Sequence, residues 1–167
     1  MIAKATVNWI EKEYLVGTTE KGVTVPMESI PKQSAPVDDS LRDRSTNLRF
    51  EESVDRSTRR EGVTPRGPTP KELVLHALAG CTMIDVVEII LKSRKHLEKC
   101  WVDVEAEVAD EHPKIYKKIH LTYNFKSPDL DSKVAERAIQ LSKEKYCSVT
   151  AMLSGKVAIT HSYHIKK

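Results

Sequence analysis

Cysteine is scarce in this chain: three in 167 residues, at positions 81, 100 and 147, with no C-x-x-C pair. That excludes a secreted disulfide framework, a paired-cysteine zinc site and a local redox motif, so any thiol chemistry needs residues that folding brings together. G-x-S-x-G, a glycine-rich phosphate loop and H-E-x-x-H are all missing, which leaves hydrolase, nucleotide-binding and zincin readings without support. The six histidines do not cluster. His161 and His164 fall on opposite faces of a strand, and His76 is rotated off the side of the helix that bears Cys81, so neither a metal nor a cofactor is expected. Charge of one sign is also lacking: a net charge of +3 is too small to suggest a nucleic-acid partner. The N-terminus, Met1 to Trp9, alternates in polarity and contains no uninterrupted apolar run. Neither a signal peptide nor a membrane anchor is expected, and the expected location is cytoplasmic.

What the chain does have is one long apolar helix. In G-P-T-P-K-E-L-V-L-H-A-L-A-G-C-T-M-I-D-V-V-E-I-I-L-K-S, residues 67–93, Thr69 suits the N-cap, Pro70 the first helical position and Glu72 the reciprocal position of a capping box. Apolar residues from Leu73 to Leu91 cover every side, which predicts a buried helix about 30 Å long. That is also the width of a bilayer, but Asp85 and Glu88 would be costly there and argue for a soluble core.

Around this helix the sequence reads as strands. Residues 1–25 predict a hairpin, 1–9 and 13–16, with Val7, Trp9, Tyr14 and Val16 inward, then a turn from Gly17 to Gly22 and a strand at 23–25. Residues 26–68 form a long connection with five prolines and arginines at 42, 44, 49, 56, 59, 60 and 66, with one strand near 47–50. Its first reading is a mobile, solvated connection; connections this long are uncommon and often functional, so a lid over a site is the alternative. Beyond the helix, Cys100, Val102, Val104, Ala106 and Val108 alternate with acids, and Ile115, Ile119, Leu121, Tyr123 and Phe125 form a second inner face. Ser127-Pro128-Asp129 opens an amphipathic helix with Leu130, Val134, Ala138 and Leu141 on one face. A short turn or helix at 146–153 and a last strand with Val157, Ile159, His161, Tyr163 and Ile165 inward complete residues 69–167. The order is that of a single α+β domain with antiparallel sheet around a central helix.

Local reasoning ranks the cysteines differently. Cys100 follows the inward parity of its strand and belongs to the core. Cys81 is mid-helix, where spacing alone reads a free cysteine on an apolar helix as a small core residue; beside it the small pair Ala79-Gly80 admits another backbone close to the sulfur. Asp85, one turn on, raises a thiol pKa, so a cation is needed to offset it. Cys147 stands where a short helix begins, and the free N–H groups there favour a thiolate.

The 67–92 segment, together with L-S-K-E-K-Y-C-S-V-T-A-M-L at 141–153, resembles the OsmC/Ohr family of thiol peroxidases, and most closely its branch with G-C-T-x-x-D-V-V and K-Y-C-S-V. The resemblance implies an α+β fold forming an intertwined homodimer with sites between subunits, and reduction of organic hydroperoxides in oxidative stress defence. Cys81 would be the peroxidatic thiol and Cys147 the resolving one, with a dithiol reductant, a lipoyl protein or a thioredoxin-like protein, closing the cycle. It further implies a thiolate-stabilising arginine held by a glutamate. Arg49 in N-L-R-F-E fits the first, with Arg59, Arg60 and Arg66 as alternatives. Glu72 fits the second but stands one place late, since Lys71 occupies the usual position. The alternative is a non-catalytic or differently acting dimer of this fold that binds a small apolar or electrophilic ligand between subunits.

Overall fold

In the computed structural model of the chain, which describes residues 2–11, 14–20, 22–28 and 68–167, the long helix begins and ends close to where its capping signals lie. Helix α1 runs Pro70–Lys92 with Thr69 as N-cap. The Glu72 N–H donates to Thr69 Oγ1 (3.2 Å) and the Thr69 N–H to Glu72 Oε2 (2.7 Å), so two donors without intrahelical partners are satisfied reciprocally. By length and composition α1 could cross a bilayer. Its buried face, with Leu75, Leu78, Met83, Val86 and Ile90 fully enclosed, lies against protein. Each such side chain contributes roughly 1.5–3 kcal/mol of burial.

The described strands form one six-stranded sheet. They are β1 (Ile2–Glu11), β2 (Tyr14–Thr19), β3 (Thr24–Glu28), β4 (Lys99–Val108), β5 (Tyr116–Lys126) and β6 (Ala158–Lys166), in spatial order β3-β2-β1-β4-β5-β6. Its inner face supplies Val7, Leu15, Val102, Val104, Ile119, Leu121, Tyr123 and Phe125 to the core. The strand from Cys100 to Val108 buries every second residue as its alternation requires. Between β5 and β6 lie α2 (Ser132–Leu141), a wide helical turn over Ser142–Tyr146, and α3 (Ser148–Leu153). The α+β expectation holds, with two refinements: the described strands make a single sheet, and β6 runs parallel to β5 rather than antiparallel. The chain crosses back through α2 and α3 before β6, and such a crossover returns a strand in its original direction.

Several local expectations shift by one residue. On β2 the inward residues are Leu15 and Thr19, with Val16 on the other parity, because Val7 pairs with Gly17 and Trp9 with Leu15 and cross-strand partners share a face. Tyr14 offers no test, its side chain lying outside the described residues. On β5 an irregularity at Glu107/Val108 places Tyr116 inward and leaves Ile115 about half exposed. The second helix starts at Ser132 on an Asp131 cap (Val134 N–H to Asp131 Oδ1, 2.9 Å), later than Pro128, and buries Ala135, Ala138 and Ile139. The strand near 47–50 and the rest of 29–67 lie outside the described residues.

Gly17 is not a turn residue. It sits inside β2 because the buried His76 ring of α1 lies on it: a Cβ there would come within 2.2 Å of His76 Cδ2. The ring is anchored by Nδ1 on the Glu72 carbonyl (2.8 Å). Gly17→Ala therefore overpacks the junction of β2 and α1, and is expected to cost about 1–3 kcal/mol in urea unfolding. A change below 0.5 kcal/mol, the level of an uneventful surface substitution, would show that the helix is not seated so closely.

Candidate functional site

Mid-α1 faces the start of α3. Cys81 Sγ, Cys147 Sγ and an Asp85 carboxylate oxygen all lie within 4.8 Å of one another. Cys81 and Asp85 come together because they are one helical turn apart; Cys147 arrives from a segment sixty-odd residues on. The wide turn at 142–146 delivers it. Its closing bond runs from the Cys147 N–H to the Ser142 carbonyl (2.8 Å), five residues back, a spacing that recurs at functional sites. Ser142, fully buried, fixes the turn to α1: its hydroxyl lies 2.9 Å from Asp85 Oδ2 and 3.4 Å from the Thr82 carbonyl.

Cys147 is the N-cap of α3, its sulfur accepting the Thr150 N–H at 3.3 Å. Cys81 Sγ lies 3.9 Å from the Ser148 hydroxyl. The first donors of α3 are thus shared out between the two sulfurs, and the pair divides its titration unevenly. The Cys81 thiol is lowered from 9.0 to about 6, chiefly because the Cys147 thiol hydrogen-bonds to its thiolate; burial opposes this, the Val149 N–H and Ser148 hydroxyl add to it, and Asp85 opposes it. Cys147 moves upward, first through the same shared proton and then through burial, which the Thr150 hydroxyl and N–H only partly offset. Cys147 is nearly enclosed and Cys81 half-buried, so the charge belongs on Cys81.

This corrects the local ranking of the two thiols. The helix-start donors are real but do not serve Cys147 alone. The small pair before Cys81 also has another role: buried Gly80 faces Met27 Sδ and Leu15, side chains of the sheet, rather than a backbone close to the sulfur. Cys100 is a core residue as its strand parity requires, its thiol pushed up by burial alone.

Glu72 is held in the capping box at the helix start. It precedes Cys81 by nine residues, roughly 13.5 Å of rise and half a revolution, so within one chain the helix does not bring the two together. Arg49, and with it Arg59, Arg60 and Arg66, lies outside the described residues. Ser142, Ser148 and Thr150 escaped the sequence reading. A serine directly after a helix-capping cysteine was the available signal for Ser148; nothing in the local pattern marks Ser142.

A family model described as OsmC-like protein matches residues 63–162 of this chain. Protein YhfA of Escherichia coli is 42% identical over 100 residues, which cover 60% of this chain and 75% of that protein. Among solved structures, an OsmC-like protein of Mycoplasma pneumoniae shares the fold at TM-score 0.54 and 13% identity, over 98% of this chain and 96% of its own. An OsmC-like hydroperoxide resistance protein of Jannaschia shares it at TM-score 0.51 and 15% identity, over 91% and 85%. The chain belongs to the OsmC-like protein family.

Proposed function

We propose that the chain is a thiol-dependent reductase of organic hydroperoxides, with Cys81 as attacking thiol and Cys147 as resolving thiol. The observation that carries this reading is the placement of both sulfurs within 4.8 Å, one lowered toward ionisation and half-buried, the other raised and enclosed. Reduction by this pair runs in two steps. The Cys81 thiolate attacks the O–O bond of ROOH and takes the hydroxyl oxygen as a sulfenic acid, and the alkoxide leaves and is protonated to ROH. Cys147 then attacks Cys81 Sγ, forming the disulfide and releasing water. A dithiol reductant, a lipoyl or thioredoxin-like protein, returns two electrons and two protons and becomes a disulfide itself. Among the described groups, the Cys147 thiol first, then the Val149 N–H and the Ser148 hydroxyl, hold the thiolate.

Support for a homodimer comes from large apolar side chains left exposed: Leu73 and Leu91 near the two ends of α1 are about 40–50% exposed, and Met152 on α3 is 76% exposed. Burial of these side chains by a second copy would remove apolar surface from water, and Met152 on α3 would bring such a partner near the site, where it would suit an apolar peroxide tail. Arg49 and Glu72 are proposed as the cation and its holder, with Glu72 reaching a site only across such a dimer. A cytoplasmic location fits thiols that must be kept reduced.

Two measurements test the assignment. In stopped-flow reaction with cumene hydroperoxide, Cys81→Ser is expected to lower the rate at least about a thousandfold. Cys147→Ser is expected to keep the first step and to stop after one turnover, with a dimedone-reactive sulfenic acid at residue 81. Equal loss in both variants, or none in Cys81→Ser, contradicts the roles. The lowered pKa of Cys81 sets a second expectation. Thiolate is the reactive form, so the alkylation rate of Cys81 with iodoacetamide should fall as pH drops through about 6 and be level by pH 7.5, not rise through 9 like an ordinary thiol. A midpoint above 8 contradicts the shared-proton arrangement.

A further inference from the structure

The same junction has a second chemical character. We propose that, in the reduced chain, Cys81, Cys147 and Asp85 form a binding site for a borderline-soft divalent cation of the zinc class. Two sulfurs and a carboxylate oxygen, all within 4.8 Å of one another, make a three-ligand set. A tetrahedral ion with Zn–S of about 2.3 Å and Zn–O of about 2.0–2.2 Å needs ligand atoms roughly 3.5–3.8 Å apart, a small contraction from this arrangement. The donor set, two thiolates with one carboxylate, suits zinc rather than calcium or magnesium, which favour all-oxygen shells.

The groups around the ligands behave as a supporting shell. Ser142, enclosed in the core, bonds Asp85 Oδ2 at 2.9 Å and so orients that carboxylate toward the sulfurs. The Thr150 N–H on Cys147 Sγ fixes the second ligand at the start of α3. The third, Cys81, is half-buried and leaves a side through which an ion can enter and on which a water can complete the tetrahedron. Metal ligation needs both sulfurs as thiolates, so binding would release the proton the two sulfurs share and put the divalent cation in its place. The ion needs both sulfurs unbonded to each other. It would therefore be excluded by a Cys81–Cys147 disulfide, and this one consequence rests on the proposed peroxide chemistry, whereas the metal site itself does not.

The test is anaerobic titration of the fully reduced full-length chain with Co²⁺ alone, followed by competition with Zn²⁺. The expected result is one equivalent bound per chain, with an intense thiolate-to-cobalt charge-transfer band in the near ultraviolet and visible bands of a tetrahedral ion, all erased by Zn²⁺. Cys81→Ser and Cys147→Ser should lose the charge-transfer intensity in part or whole, Cys100→Ser should retain it, and Asp85→Asn should weaken binding at least about tenfold. A second measurement needs no variant: in the wild-type chain, Zn²⁺ should slow N-ethylmaleimide modification of Cys81 at least tenfold, read by peptide mass spectrometry. Absence of the charge-transfer band in fully reduced protein overturns the proposal, as does a band unchanged in Cys81→Ser or alkylation indifferent to Zn²⁺. Neither readout involves peroxide, so the metal site and the peroxidase reading can fail separately.

Discussion

The structure depends on one contact, the seating of the Ser142–Thr150 segment on the middle of α1. Ser142 donates into Asp85 and closes its wide turn on the Cys147 N–H, and α3 then begins with its first donors turned to the two sulfurs. Without that seating Cys81 would be an ordinary thiol on an apolar helix, opposed by the carboxylate one turn away. With it, the Cys147 thiol and the N–H of Val149 outweigh both burial and Asp85. The sheet serves this contact indirectly. It fixes α1 through Gly17 and His76 at one end and through the enclosed aliphatic face along its length, so that the helix offers a firm surface for the crossover to land on.

The same geometry explains why the two thiols differ although they are neighbours. A helix-start cysteine is the usual candidate for a lowered pKa, but Cys147 is nearly enclosed, and enclosure disfavours charge. Cys81 is opposed by its own helix partner and helped by another element. A pair that shares one proton places the charge where solvent and donors can stabilise it, and the remaining thiol stays protonated until needed as the second nucleophile. Asp85 then has two aspects, opposing the thiolate while orienting the segment through Ser142. A carboxylate so placed is an odd companion for a thiolate and an ordinary one for a metal ion.

Much of the fold was legible because its signals are local. The capping box and all-round apolar pattern located α1 almost to the residue, and strict alternation located β4 and the core role of Cys100. The misplacements have physical causes outside any local window. Gly17 looked like a turn because only the approach of His76 from α1 reveals why a glycine stands in a strand. Ile115 and Tyr116 exchanged sides because a pairing irregularity with β4 resets parity. The parallel pairing of β6 depends on how α2 and α3 cross the sheet. For the site, spacing could nominate Cys81 and Cys147 separately but could not bring them together; that came from family resemblance and then from the geometry of the wide turn. Ser142 was invisible, since a buried serine at a helix end has no periodic signature.

The central claim is that Cys81 and Cys147 form one reacting pair. The most direct measurement is peptide mapping by mass spectrometry after adding one equivalent of cumene hydroperoxide to the reduced chain. The account predicts a Cys81–Cys147 disulfide formed within a single chain in near-stoichiometric yield, with Cys100 left as a free thiol. Oxidation spread over all three cysteines, or a disulfide that links Cys81 to any residue other than Cys147, would contradict it.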